Sequence, residues 1–145
     1  LSFGNDGMLY VATTSYEANS TTDRTPFLQG TLLRIKDDGS IPQDNPYVSS
    51  LRAVTPCGKK IPSKSLKTCA EIFAIGLHRP VALAMDPDTK GDNVQFYVLD
   101  RGASMWEEIH KGGTDMPLAN YGWPSREGPC DRGSITKCYA GTKRQ

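Results

Sequence analysis

An all-β fold is predicted for this 145-residue chain by three features of its sequence. Its 14 glycines and 10 prolines divide it into short runs rich in Val, Ile, Leu, Tyr and Phe, the composition of strands bounded by turns. Little of it carries a helical spacing of apolar residues. Two stretches also repeat the same order of elements, which a strand-based repeat explains.

The first of these stretches reads "LSFGNDG", an apolar strand running into an Asp-containing turn, then "MLYVATT", an aromatic strand. After a long polar loop comes "TLLRIKDDG", a strand and a Gly turn. The second reads "ALAMDPD", then "QFYVLDRG", then "WEEIHKGG", with the same succession of strand, turn, aromatic strand, connection and strand. Tyr10 and Tyr97 hold equivalent places 87 residues apart, close to twice the ~40–45 residues of a four-stranded propeller blade. The expectation is therefore part of a β-propeller, with about three blades' worth of chain and residues 1–145 as a single fragment of the ring. Three blades alone would leave open sheet edges. The sequence has no Met start and no signal peptide, and Leu1 opens directly into a strand, so the chain is expected to begin within a longer protein.

Composition narrows the partners. With 17 basic and 16 acidic residues the formal net charge is +1, and the basic residues are scattered instead of forming the stripe that nucleic-acid binders carry. The densest basic stretch, residues 59–67, lies in a Ser/Pro-containing segment that reads as a solvated loop. No apolar run approaches the ~18 residues of a membrane span. The expected partners are a sugar or glycan, or a protein, together with the remainder of the propeller.

The four cysteines pair by proximity as Cys57 with Cys69 and Cys130 with Cys138, each pair bracketing a loop without hydrophobic pattern. Zinc is the competing reading, but neither spacing is the C-x2–4-C that zinc favours. Asn19-Ser20-Thr21 is a glycosylation sequon. Disulfides and a glycan on Asn19 both imply an extracellular, secreted protein.

Antiparallel blades put the loop entering the first strand and the loop joining the second and third at one end. In this chain that end collects residues 15–30, the run "EIFAIGLHRP" and the run "RGASM". Loops on a rigid scaffold carry function more often than strands, and residues 15–30 are too many for a plain turn.

Four segments, "LSFGNDGMLYVATT", "TLLRIKDDGSIPQDNP", "EIFAIGLHRP" and "EEIHKGG...NYGWP", occur in that order and resemble the glucose/sorbosone dehydrogenase family from Leu1 to about Gly128. That family comprises six-bladed propellers. It includes soluble sugar dehydrogenases that use pyrroloquinoline quinone (PQQ), and secreted eukaryotic relatives of the hedgehog-interacting type. The resemblance implies hydride transfer from a sugar hydroxyl to the quinone, with a His accepting the proton. That His precedes the "L-x-F-G-x-D-G" strand in the family, so it falls upstream of Leu1 and no catalytic residue is assigned within this chain. It also implies that Trp123 of N-Y-G-W-P fills space between blades.

Two cofactor positions depart from the family pattern. Where the family has Gly-Asp after the second strand, this chain has Thr14-Ser15, and Ser15 cannot supply a charge. Where the family reads G-L-R-N-P, this chain reads Gly76-Leu77-His78-Arg79-Pro80. His78 and Arg79 are the cofactor-binding candidates; His78 is open to reading as a proton acceptor or as a packing residue. Arg24 and Arg101 add positive charge to the same end. For calcium, which anchors the quinone in the family through backbone carbonyls of a Gly-Pro pair, the matching residues are Gly102 and Ala103. Glu107 and Glu108 are either oxygen ligands or solvated carboxylates, and on a strand they point to opposite faces. The ligand face expected from these positions is residues 15–30, 77–80 and 102–105, with PQQ bound weakly or not at all. A non-catalytic carbohydrate- or protein-binding propeller is the alternative function.

Overall fold

In the computed structural model the described residues are 1–15, 28–49, 54–55, 57 and 68–138. Asn19, Arg24 and residues 59–67 lie outside them. The protein is nearly all β. Among the described residues eleven strands run in chain order as β1 Ser2–Phe3, β2 Leu9–Ala12, β3 Thr31–Ile35, β4 Val54–Thr55, β5 Thr68–Cys69, β6 Ile72–Ile75, β7 Arg79–Met85, β8 Gln95–Arg101, β9 Glu108–Gly113, β10 Arg126–Glu127 and β11 Cys130–Asp131. A helical turn, Pro46–Ser49, lies between β3 and β4.

The predicted strands of both stretches are present. The first sheet has the order β1-β2-β3-β6 and the second β7-β8-β9, both antiparallel throughout. Two short ribbons, β4–β5 and β10–β11, complete the set.

Alternation along β8 fixes how the sheets meet. Phe96, Val98 and Asp100 are buried, whereas Tyr97, Leu99 and Arg101 are exposed, the period-2 pattern of a strand with two different faces. Phe96 points back to the first sheet, where its ring lies 5.6 Å from Tyr10 and 6.3 Å from Phe73. Tyr10 and Phe73 meet edge to face at 5.8 Å. Leu32, Ala74, Leu77, Val94, Val98 and Tyr121 close this core. Each fully buried large side chain in it contributes roughly 1.5–3 kcal/mol.

The equivalence of Tyr10 and Tyr97 acquires a geometric meaning here. Each sits on the second strand of its sheet. Tyr10 is 0% exposed because the second sheet covers it, whereas Tyr97 is 37% exposed. Its neighbours Leu99 and Ile109, directly opposed in register, are exposed as well.

One expectation is corrected. "EIFAIG" was expected in a loop, but Ile72–Ile75 is the outer strand of the first sheet, buried at all four positions. A strand covered on both sides shows no alternation, so its apolar run carries no strand signature. The described residues form two blade-sized sheets, and residues 118–123 run parallel to β6.

That last segment is held by backbone bonds: Leu118 N–H to Phe73 O at 3.2 Å, Ile75 N–H to Ala119 O at 2.9 Å, Tyr121 N–H to Ile75 O at 2.9 Å and Trp123 N–H to Gly76 O at 3.1 Å. The N-Y-G-W-P turn is thereby wedged along the first sheet, with Tyr121 in the shared core and Trp123 buried.

A buried ion network closes the opposite end of the first sheet. The Arg34 guanidinium donates to Asp6 Oδ2 from Nη2 at 2.9 Å and from Nε at 3.1 Å, and to Asp44 Oδ1 and Asn45 Oδ1 from Nη1. Tyr10 donates its hydroxyl to the same Asp6 oxygen at 3.0 Å.

Candidate functional site

The upper ends of the strands gather the loops expected to share a face. Ser15 N–H donates to His78 O at 2.7 Å, and Leu77 N–H to Gly30 O at 3.0 Å. The His78 ring reaches Arg101 O at 2.8 Å through Nδ1. Residues 15, 30, 77, 78 and 101 are therefore joined at one end of the sheets.

Ser15 is wholly buried and serves the backbone of this junction. His78 is also buried. A carbonyl oxygen only accepts, so Nδ1 carries the proton of this bond and a neutral His78 is the Nδ1–H tautomer. Its ring stacks on Trp123 at 3.9 Å, and the Arg132 guanidinium covers the other indole partner position at 4.6 Å from the Trp123 centroid. Trp123 is thus buried against the His78 loop.

Arg79 and Arg101 differ from His78 in being exposed. They are Cα partners across β7 and β8, so two guanidinium groups stand on neighbouring strands at the same level. Like charges placed directly opposite each other repel. Among the described residues, neither Arg makes an ion pair.

Two acidic residues that the sequence reading passed over build the rest of the site. Asp100 is buried at the end of β8; its carboxylate accepts His78 N–H at 2.7 Å and Arg79 N–H at 2.6 Å. It fixes the backbone that presents both candidates. His110 Nε2 lies 3.6 Å behind it, and the His110 ring stacks on Tyr121 at 4.5 Å. Asp at an inward-facing strand position was a visible signal, since buried carboxylates need donors.

Glu127 is the second. It follows the N-Y-G-W-P turn, is 3% exposed, and its carboxylate collects the loop after β8. Oε1 accepts Ser104 N–H at 2.7 Å, Met105 N–H at 2.7 Å and Trp106 N–H at 3.2 Å, while Oε2 accepts the Ser104 hydroxyl at 2.9 Å. Burial alone would raise this carboxyl; the backbone N–H groups of Met105 and Ser104, the Ser104 hydroxyl and Trp106 N–H outweigh it and hold it at about 2. A depressed native pKa contributes stability that is complete above the ordinary carboxylate range and is lost as pH falls through 2. The melting-temperature gap between the protein and its Glu127→Gln variant should be constant above pH 5 and close as pH approaches 2. A gap that stays open at pH 2 contradicts this.

The Gly102 and Ala103 candidates lie on the loop that Glu127 holds. Residues 101–107 line an open cleft of about 270 Å³. Glu107, exposed, is at its rim, and Glu108 begins β9 opposite Asp100. The donor set here is backbone carbonyls and a carboxylate, hard oxygen ligands of the kind calcium takes. Glu127 accepts four hydrogen bonds, three of them on Oε1, and lies outside the cleft lining.

Both expected disulfides are present, Cys57–Cys69 and Cys130–Cys138, and no described cysteine is free. Glu71 lies beside the first pair and accepts Cys57 N–H. No helix among the described residues is long and apolar enough to cross a membrane.

The glucose/sorbosone dehydrogenase family model matches residues 1–136. The chain belongs to this family. It is 28% identical over 130 residues to the aldose sugar dehydrogenase YliI of Escherichia coli K12, a match covering 86% of this chain and 28% of that protein. Among solved structures, a glucose dehydrogenase superposes with a TM-score of 0.63 at 25% identity, covering 85% of this chain and 29% of its own. The PQQ-bound aldose sugar dehydrogenase of Streptomyces coelicolor superposes with a TM-score of 0.60 at 25% identity, covering 94% of this chain and 32% of its own. The chain thus spans less than a third of the length of these family members.

Proposed function

We propose that this chain is a segment of a secreted, six-bladed propeller of the PQQ-dependent sugar dehydrogenase type, and that its upper loops form part of a ligand face that binds the quinone weakly. The exposed Tyr97, Leu99 and Ile109 face supports further propeller sheet beyond β7–β9, because an apolar face of this kind is normally covered.

The observation that carries the ligand reading is the pair Arg79 and Arg101, opposed in register and without an ion-pair partner among the described residues. A quinone bearing three carboxylates is a ligand that such a pair attracts, through charge-assisted hydrogen bonds. Calcium, held by oxygens of residues 102 and 103, would anchor the quinone and polarise it. Asp100 orients the Arg79 backbone, and the Glu127-bound loop bounds the cleft. The charge is kept, but the orienting contacts are not. Ser15 stands where the family has Asp, and His78-Arg79 where it has Arg-Asn. Losing two charge-assisted contacts, at roughly 1.5–3 kcal/mol each, weakens binding by about two to four powers of ten.

The second reading, a carbohydrate- or protein-binding propeller without catalysis, draws on the inward-turned His78 ring, stacked on Trp123 and hydrogen-bonded to Arg101. Removing charge tests the first reading. Quinone binding to the full-length protein should weaken at least about tenfold when Arg79→Gln and Arg101→Gln are combined. Unchanged affinity would show that the pair is not the quinone's handle.

A further inference from the structure

The two disulfides differ in their surroundings. Cys69 is wholly buried, and the Cys57–Cys69 bridge belongs to a hydrophobic cluster with Tyr47, Ile72 and Ile75, against which the half-buried Cys57 also packs. Cys130 is buried too, but its partner Cys138 is exposed. Thiol–disulfide exchange requires a thiolate to reach one of the two sulfurs, so access separates the two bridges.

Two sets of contacts run from the accessible bridge to loops of the ligand face. Cys130 is the Cα partner of Glu127 in the β10–β11 ribbon, and Glu127 gathers the N–H groups of Ser104, Met105 and Trp106. That ribbon has two residues in each strand, too few to hold itself together, and the bridge to Cys138 ties its second strand down. In the loop that the bridge closes, Arg132 donates its N–H to Ser125 O at 3.0 Å and sets its guanidinium 4.6 Å from the centre of the Trp123 ring. Trp123 in turn stacks on His78.

We propose that Cys130–Cys138 is a redox-sensitive brace of the ligand face: a dithiol reductant opens it from the Cys138 side, and opening loosens residues 104–106 and 77–79. This rests on reading those loops as part of the ligand face. One thiolate of the reductant attacks Cys138 Sγ, the S–S bond breaks, and Cys130 leaves as a thiolate that takes up a proton. The second thiol of the reductant then attacks its own sulfur in the mixed disulfide and releases Cys138 as a thiol. Two electrons and two protons pass to the protein, and the dithiol ends as a disulfide. With the bridge open, the ribbon that carries Glu127 loses the constraint that closed it, and Arg132 loses its fixed place over Trp123.

The test uses the full-length protein without quinone or sugar. Folded protein is exposed to graded dithiothreitol, quenched with iodoacetamide and mapped by peptide mass. Cys130 and Cys138 should be alkylated at reductant levels at least about tenfold below those that label Cys57 and Cys69. Amide hydrogen exchange on protein with this bridge open should accelerate at least about tenfold at residues 104–106. At residues 77–79, reached through an exposed cation–ring contact, the acceleration should be about two- to fivefold. Strands β2 and β3 should change by less than about twofold, and reoxidation with glutathione disulfide should restore the original rates. Cys138→Ser, which breaks the bridge and leaves the buried Cys130 in place, should reproduce the opened state; limited reduction of the parent protein serves if that variant does not fold. Earlier opening of Cys57–Cys69 overturns the proposal. So does unchanged exchange at either segment with the bridge open, equal acceleration in β2 and β3, or failure to recover on reoxidation. Failure of the quinone to bind leaves these readouts in place and counts only against the ligand reading.

Discussion

Arg34→Met is expected to destabilise the protein by about 3–5 kcal/mol, because it leaves the Asp6 carboxylate buried without a cation. The side chains of Arg34 and Asp6 are only 5% and 2% exposed, and two guanidinium nitrogens share one Asp6 oxygen. The Tyr10 hydroxyl donates to that same oxygen and anchors the ring at the centre of the aromatic core. Losing the cation therefore reaches from the turn at Asp6 into the packing between sheets. A fall of about 10 °C in melting temperature corresponds to this loss for a chain of this size. Asp44→Ala removes the other ion pair, but that side chain is 72% exposed, and its loss should cost under about 1 kcal/mol. The double variant Asp6→Leu with Arg34→Met should recover part of the single variant's loss, since the orphaned charge is gone. Equal melting temperatures for Arg34→Met and Asp44→Ala would refute the account.

The second large effect is expected at Gly76. Its φ is +83°, and a Cβ there would lie 2.7 Å from Gly122 N and 2.9 Å from Tyr121 N, and closer still to the Asn120 amide oxygen. Two of those three atoms are backbone and cannot swing aside. Gly76→Ala thus combines the left-handed conformation of a non-glycine residue, about 1–2 kcal/mol, with overpacking of about 1–3 kcal/mol. The strain falls on residues 118–123, whose bonds to β6 place Tyr121 and Trp123. Since Trp123 stacks on His78, the loop at residues 77–79 should loosen with it, visible as faster amide exchange there. Gly39→Ala is the control: its φ is +79° but nothing lies near a Cβ, so only the conformational cost applies. Equal losses at the two glycines would contradict the steric argument.

These two positions also mark the limit of what the sequence discloses. Strands such as β8 are legible because their two faces differ, and the period-2 pattern of "QFYVLDRG" records that difference. Strand β6 is covered on both faces and reads as an undifferentiated apolar run. The disulfides are legible because their partners are local. Arg34 and Asp6 are 28 residues apart, and no spacing rule joins them. The grouping of these loops at one end was legible from strand order alone, and His78, Arg79, Gly102 and Ala103 do lie at that end. The contacts that Asp100 and Glu127 make there were not legible. Their partners are backbone N–H groups, which every residue but proline possesses and which leave no trace in side-chain identity. Gly76 is intermediate: the glycine is visible, but the close approach that requires it comes from Asn120, Tyr121 and Gly122.

The most direct test of the central claim is titration of the full-length protein with PQQ in the presence of calcium, followed by dye reduction with aldoses. The account predicts saturable quinone binding no tighter than about micromolar, two to four powers of ten below a site that retains both orienting contacts. Submicromolar binding accompanied by sugar-dependent dye reduction would contradict it, and would show that Ser15 and the His78-Arg79 pair leave the cofactor grip intact.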